Sequence, residues 1–189
     1  MRAPIVVLGA GAFGTALANQ AARNGQRVIL WARDRAHVAE MQASRENARR
    51  LPGVPLDEAV EPPDDLACLR EADVVLAATP AQALRLVARA AARHNRAAAD
   101  WLVCAKGIER GTHAFLSDIV AAELPGGVVS ILSGPSFAED IAAGLPTAIT
   151  LAAPEADRAE RLSRLLDSST FRLYRSTDVR GAEIGGAAK

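Results

Sequence analysis

Ile5-Val6-Val7-Leu8-Gly9-Ala10-Gly11-Ala12-Phe13-Gly14 sets a short apolar run directly against a G-x-G-x-x-G. Four β-branched or aliphatic residues without a polar partner read as a strand buried on both faces. The run from Gly11 to Asn24 reads as a helix, stopped by Gly25 as a left-handed cap. A glycine triplet between such a strand and such a helix is the context in which the motif has meaning. Gly9 permits the tight turn, Gly11 lets backbone approach a pyrophosphate, and Gly14 lets the helix pack on the strand. Free amides at the helix N-terminus then face negative phosphates. A strand-to-helix turn holding no ligand is the plainer alternative.

The next apolar run, Arg27 to Trp31, is expected to lie beside the first and to end near an adenosine ribose. Asp34 falls 20 residues after Gly14, where an acidic residue grips the ribose 2′-hydroxyl of NAD. It also suits the N-cap of a helix running through about Ser44. Arg33 is placed to pair with the 2′-phosphate of NADP. Together these tilt the expectation towards NADP while leaving NAD open.

Working outward, strands and helices continue to alternate. Helical stretches are expected at Leu66–Glu71, from Thr79-Pro80 onward, and from Thr112 to about Glu123. Others run from Ser136 to about Ala143, from Pro154 to about Asp167, and from Asp178 to Lys189. Strands are expected at Val74–Ala78, Trp101–Ala105, Val128–Leu132, Thr147–Ala152 and Phe171–Tyr174, with a loop over Asn47–Leu56. Continuous apolar strands alternating with helices indicate an α/β fold, a doubly wound, mainly parallel sheet of Rossmann type with helices on both faces.

Composition agrees. The 189 residues include 41 alanines but only 4% aromatics, so the core is built from small side chains packed closely. Twenty-two basic and 22 acidic residues balance, which argues against a nucleic-acid partner. Cys68 and Cys104 give neither a disulfide framework nor metal-ligand spacing, so no metal is expected, and they suit a reducing cytoplasm. Pro4 to Ala22 is uncharged, yet glycines and Thr15, Asn19 and Gln20 break it too early for a signal peptide or a span. A soluble protein without membrane insertion is expected.

Twenty of the 22 basic residues are arginine; only Lys106 and Lys189 are lysine. Arginine does not readily release its proton, so lysines kept in such a chain mark places where an amine is needed. Lys106 follows a strand, at the end of a sheet where ligands bind. Thr79 and Ser133-Gly134-Pro135-Ser136 follow two more. Thr79 and Ser136 could instead cap the helices after them. Gly185 and Gly186 precede Lys189 by four and three residues, leaving a bare helix face beside an amine.

These segments resemble one family. GAGAFGTALA, LWARD, NARRLP, CAKGIE, LSGPSFAEDIAAGLPTAIT and FRLYRSTDVRGAEIGGAAK are similar, in order, to the motifs of bacterial NAD(P)-dependent sn-glycerol-3-phosphate dehydrogenases. The resemblance implies interconversion of dihydroxyacetone phosphate and glycerol 3-phosphate for phospholipid synthesis, with NADP or NAD as cofactor. It implies cofactor contacts at Gly9, Gly11, Ala12, Phe13, Gly14, Arg33, Lys106 and Ala138. It further implies substrate contacts at Lys106, Gly134 and Ser136, and a catalytic general acid/base at Lys189 assisted by Lys106. It implies residues 1–180 as the cofactor domain and 181–189 as the first turns of an all-helical domain, the rest of which is missing because the chain stops at Lys189. The family's full-length protein is expected to be a homodimer, and this chain to bind dinucleotide but turn over poorly or not at all. The competing expectations are another β-hydroxyacid-type dehydrogenase and a non-catalytic dinucleotide-binding module.

Overall fold

The computed structural model describes residues 3–96 and 98–188. Its centre is one eight-stranded sheet: β1 (Ile5–Leu8), β2 (Val28–Trp31), β3 (Val60–Glu61), β4 (Val74–Ala77), β5 (Asp100–Val103), β6 (Val128–Ser133), β7 (Thr147–Ala152) and β8 (Phe171–Ser176). The strand order is β3-β2-β1-β4-β5-β6-β7-β8. All neighbours pair parallel except β6 and β7, which are antiparallel. Seven α-helices connect them: α1 (Ala12–Arg23), α2 (Arg35–Ser44), α3 (Leu84–Ala91), α4 (Leu116–Glu123), α5 (Ala138–Ala142), α6 (Ala156–Leu166) and α7 (Val179–Ala187).

Every residue of β1, β2, β4 and β5 is buried, because helices cover both faces. Alternate residues feed opposite cores. Ile5 and Val7 pack with Leu17, Met41, Ile141 and Leu162 on the α1, α2, α5 and α6 side. Val6 and Leu8 pack with Leu84, Trp101 and Ile119 on the α3 and α4 side. The chain winds outward through β2 and β3, then returns to place β4 on the other flank of β1. That reversal opens a crevice beyond the carboxyl ends of β1 and β4.

Several boundaries differ from the sequence expectation. The helix expected from Thr112 begins only at Leu116. Gly111 (φ +83°) and His113 (φ +56°) turn the chain left-handed, and the loop is closed by Glu109 N donating to Ala114 O and His113 N donating to Glu109 O, each at 3.0 Å. A 3-10 turn (Ala81–Ala83) separates Thr79-Pro80 from α3, and Leu66–Glu71 is also 3-10. The two-residue β3 falls inside a stretch given no element, and β6 and β8 each run beyond the expected ends to a serine.

Candidate functional site

The ends of five strands open into one cleft of about 870 Å³. It is lined by the Gly9–Phe13 turn, Arg33 and Asp34 after β2, Thr79 after β4, Lys106 after β5, and Ser136 to Glu139 after β6. Its size suits a dinucleotide-sized ligand.

The three glycines of the turn act differently. Gly9 has φ +115°, and a Cβ there would lie 2.8 Å from Ala78 O and 2.9 Å from Thr79 N. A Cβ on Gly14 would lie 2.0 Å from Gly9 O and 3.2 Å from the Ala78 methyl. Gly14 therefore packs chiefly on the turn itself and on the end of β4, rather than on the preceding strand. A Cβ on Gly11 would meet nothing within 4 Å. Among the described residues nothing occupies the face that Gly11 leaves bare, and Gly11 lines the cleft. Gly11 is the N-cap of the twelve-residue α1 and supplies no capping side chain. The first-turn amides are thus left for a ligand's phosphates.

Asp34 is committed elsewhere. Its carboxylate caps α2 by accepting from Ala36 N at 3.0 Å and His37 N at 3.3 Å, and it pairs with Arg49 Nη1 at 3.0 Å. Those amide bonds, first the one from His37, hold its carboxyl below the ordinary carboxylate range. Arg49 also holds Glu40. Arg33 and Arg50 both line the cleft, are exposed, and make no ion pair among the described residues. Arg50 was not foreseen; its stretch read only as a loop, although two adjacent arginines after a helix were the available signal.

Lys106 joins the two halves of the site. Its Nζ donates to Gly134 O at 2.7 Å and lies 5.7 Å from the centroid of the Phe13 ring. A Cβ on Gly134 would crowd β7, coming 3.0 Å from Ile149 Cα. Beneath Lys106, burial pushes the Cys104 thiol up to about 12, so it stays protonated and inert at neutral pH. Lys106's loop is braced from α3. Arg85 grips Glu109 at 2.7–3.2 Å and Glu123 at 3.1 Å. Gln82 spans the loop backbone through Ile108 O at 2.9 Å and Arg110 N at 2.8 Å.

Thr79 and Ser136 are not caps. The N-caps following them are Pro80 and Phe137, neither with a side-chain cap bond. Both hydroxyls are buried without a partner while their residues line the cleft. Ala138 begins α5 on the same wall. On α7, Gly186 packs against β6, where a Cβ would lie 2.3 Å from Ser133 Oγ and 3.6 Å from Lys106 Cγ. Gly185 faces open space, in a second cavity lined by Ser133, Gly134 and Thr150. The helical reading of this segment holds through Ala187, and the bare face is half occupied by β6. Lys189 lies outside the described residues. Among those residues, no helix is long and apolar enough to cross a membrane, and no three His, Cys, Asp or Glu side chains group to hold a metal.

A sheet of this order, with a glycine turn opening α1 beneath a cleft at the strand reversal, defines a dinucleotide-binding protein of Rossmann type. The family model for the NAD-dependent glycerol-3-phosphate dehydrogenase N-terminus matches residues 4–159, and the chain belongs to this family. It is 56% identical over 185 residues to a glycerol-3-phosphate dehydrogenase, NAD(P)+, of Azorhizobium caulinodans, and 53% identical to one of Beijerinckia indica. In both cases 98% of this chain covers 56% of the relative, so the chain spans about half the length of these curated relatives. The crystal structure of glycerol-3-phosphate dehydrogenase from Coxiella burnetii superposes with a TM-score of 0.93 at 36% identity, over 98% of this chain and 57% of that one.

Proposed function

We propose that this chain is the cofactor-binding part of an enzyme that interconverts dihydroxyacetone phosphate and sn-glycerol 3-phosphate, supplying phospholipid synthesis in the cytoplasm and working as a homodimer. Residues 1–180 form the cofactor domain, and 181–189 begin a helical substrate domain. The observation that carries the reading is Lys106, whose amine meets the cofactor turn at Phe13 and the Gly134–Ser136 segment at once. The two buried, unpartnered hydroxyls on the same walls support it, since a bound ligand would supply the missing partners.

A dinucleotide held at the Gly9–Phe13 turn would supply the hydride that reduces dihydroxyacetone phosphate at C2. As the carbonyl π electrons move onto oxygen, the Lys106 ammonium stabilises the growing negative charge. A second ammonium, assigned to Lys189 through the family resemblance, donates the proton that yields the C2 hydroxyl. Gly134 and Ser136 line the substrate, and Gly9, Gly11, Ala12, Phe13, Gly14 and Ala138 the dinucleotide.

NADP(H) is the preferred cofactor in this reading. Asp34, which would repel a 2′-phosphate, shares Arg49 with Glu40 and is only partly offset by it, while Arg33 and Arg50 bring two further positive charges to the same cleft. Lys106→Met tests the assignment of the site. A charged hydrogen bond contributes about 1.5–3 kcal/mol. The variant should therefore bind dihydroxyacetone phosphate at least about tenfold more weakly in the presence of saturating dinucleotide. Unchanged binding would overturn the role of Lys106.

A further inference from the structure

Asn47 is fully buried in a loop that carries no element, at the floor between the phosphate turn and α2. Every polar atom of its side chain is used. Nδ2 donates to Ala10 O at 3.0 Å and to Thr15 Oγ1 at 2.7 Å. With both amide hydrogens spent, Oδ1 must accept, and His37 Nε2–H donates to it at 2.7 Å. The Thr15 hydroxyl in turn donates to Gly11 O at 2.9 Å. The backbone carbonyl of Asn47 accepts from Arg50 N at 3.0 Å and Leu51 N at 2.8 Å.

Asn47 thus ties together four pieces: its carboxamide holds the Gly9–Gly11 turn through Ala10, the first turn of α1 through Thr15 and the first turn of α2 through His37, and its backbone carbonyl holds the loop carrying Arg49 and Arg50. Two donors and one acceptor at the tip of a short side chain are what this place requires. Aspartate has the shape but would set an oxygen against Ala10 O. Alanine would strip the buried Ala10 O and His37 Nε2 of this partner and leave Thr15 Oγ1 with only its bond to Gly11 O.

We propose that Asn47 is the positioning residue of the dinucleotide site. It fixes the distance between the phosphate turn and the Arg50 loop, so that a pyrophosphate and a ribose 2′-phosphate are held together. The second half of this statement rests on the reading of Arg33 and Arg50 as the 2′-phosphate site.

The test titrates wild type, Asn47→Ala, Asn47→Asp, His37→Leu and His37→Gln with NADPH and with NADH, below each variant's melting temperature. In the Asn47 variants NADPH affinity is expected to fall at least about tenfold and NADH affinity by less, so the preference shrinks. His37→Leu should lose NADPH affinity severalfold. His37→Gln should restore it, because a glutamine amide can still donate to Asn47 Oδ1. A lower melting temperature with both affinities unchanged would reduce Asn47 to a structural residue and overturn the proposal. If the Asn47 variants do not fold, the His37 pair decides, and equal affinities for the two would overturn it. If wild type does not prefer NADPH, the 2′-phosphate reading falls on its own. Asn47 is then judged on NADH alone, where a tenfold loss supports its positioning role and no loss overturns it.

Discussion

A methyl group at Gly14 would sit 2.0 Å from Gly9 O, whereas one at Gly11 would touch nothing within 4 Å. The two positions should therefore separate folding from binding. Gly14→Ala must displace the turn and is expected to cost about 1–3 kcal/mol of stability, as overpacking does, and to abolish dinucleotide binding. Gly11→Ala should change stability by less than about 1 kcal/mol yet weaken binding, because its methyl enters the space kept for phosphate. Calorimetric melting with parallel titration checks both, and equal destabilisation by the two would contradict this division. The glycine spacing was legible because the motif is local. Thr79 and Ser136 were legible as residues at strand ends, but not the choice between lining the cleft and capping, since whether a residue caps a helix depends on where the helix starts to within one residue. Asp34 was legible in both its roles, but only the neighbouring Arg49 decides that capping and pairing use up its carboxylate.

At the scale of elements, the Lys106 loop and α7 each use a carboxylate of their own to grip a partner remote in sequence, Arg85 for Glu109 and Ser117 for Glu183. The Arg85 guanidinium, and then the Thr112 hydroxyl, hold the Glu109 carboxyl down at about 2, against an ordinary 4.5. A depressed carboxyl stabilises the fold above its unfolded pKa, and that contribution is lost as pH falls through the folded one. The stability difference between wild type and Glu109→Gln should thus stay constant from pH 7 to about pH 5 and shrink between 4.5 and about 2. A difference that stays flat to pH 3, measured by denaturant unfolding, would remove Glu109 as the anchor. The Thr112 hydroxyl bonds Glu109 at 2.5 Å, which is why Thr112 shapes this loop instead of starting α4. That carboxylate is invisible to a reading by local propensity.

Glu183 docks α7. Its buried carboxylate accepts from Ser117 N at 2.9 Å and Ser117 Oγ at 2.6 Å, capping α4 from another helix, and Arg180 flanks it at 3.2 Å. Glu183→Ala leaves a buried amide unpaired and should cost about 1–3 kcal/mol. Glu183→Gln, whose carbonyl still accepts, should cost less. Equal melting temperatures for the two variants would count against this docking bond.

For the whole molecule, the winding of the sheet was readable because β1, β2 and β4 are uninterrupted apolar runs and β5 is apolar after Asp100, which only a sheet covered on both faces can bury. The antiparallel step from β6 to β7 was not, since an apolar run looks the same in either direction. Arg50, 17 residues from Arg33 in the chain, shares its cleft only because loop 47–51 folds back over the glycine turn. A ligand that binds the folded chain at a hundredfold excess over its Kd adds about 2.7 kcal/mol of stability, so binding should also raise the melting temperature. The central claim is that this cleft holds a 2′-phosphorylated dinucleotide. Isothermal titration of the 189-residue chain with NADPH and with NADH tests it most directly, repeated on the Arg33→Ala/Arg50→Ala double variant. One NADPH per chain, bound more tightly than NADH, with the difference erased in the double variant, is the expected result. NADH bound as tightly as NADPH by the wild-type chain, or neither bound, would contradict the claim.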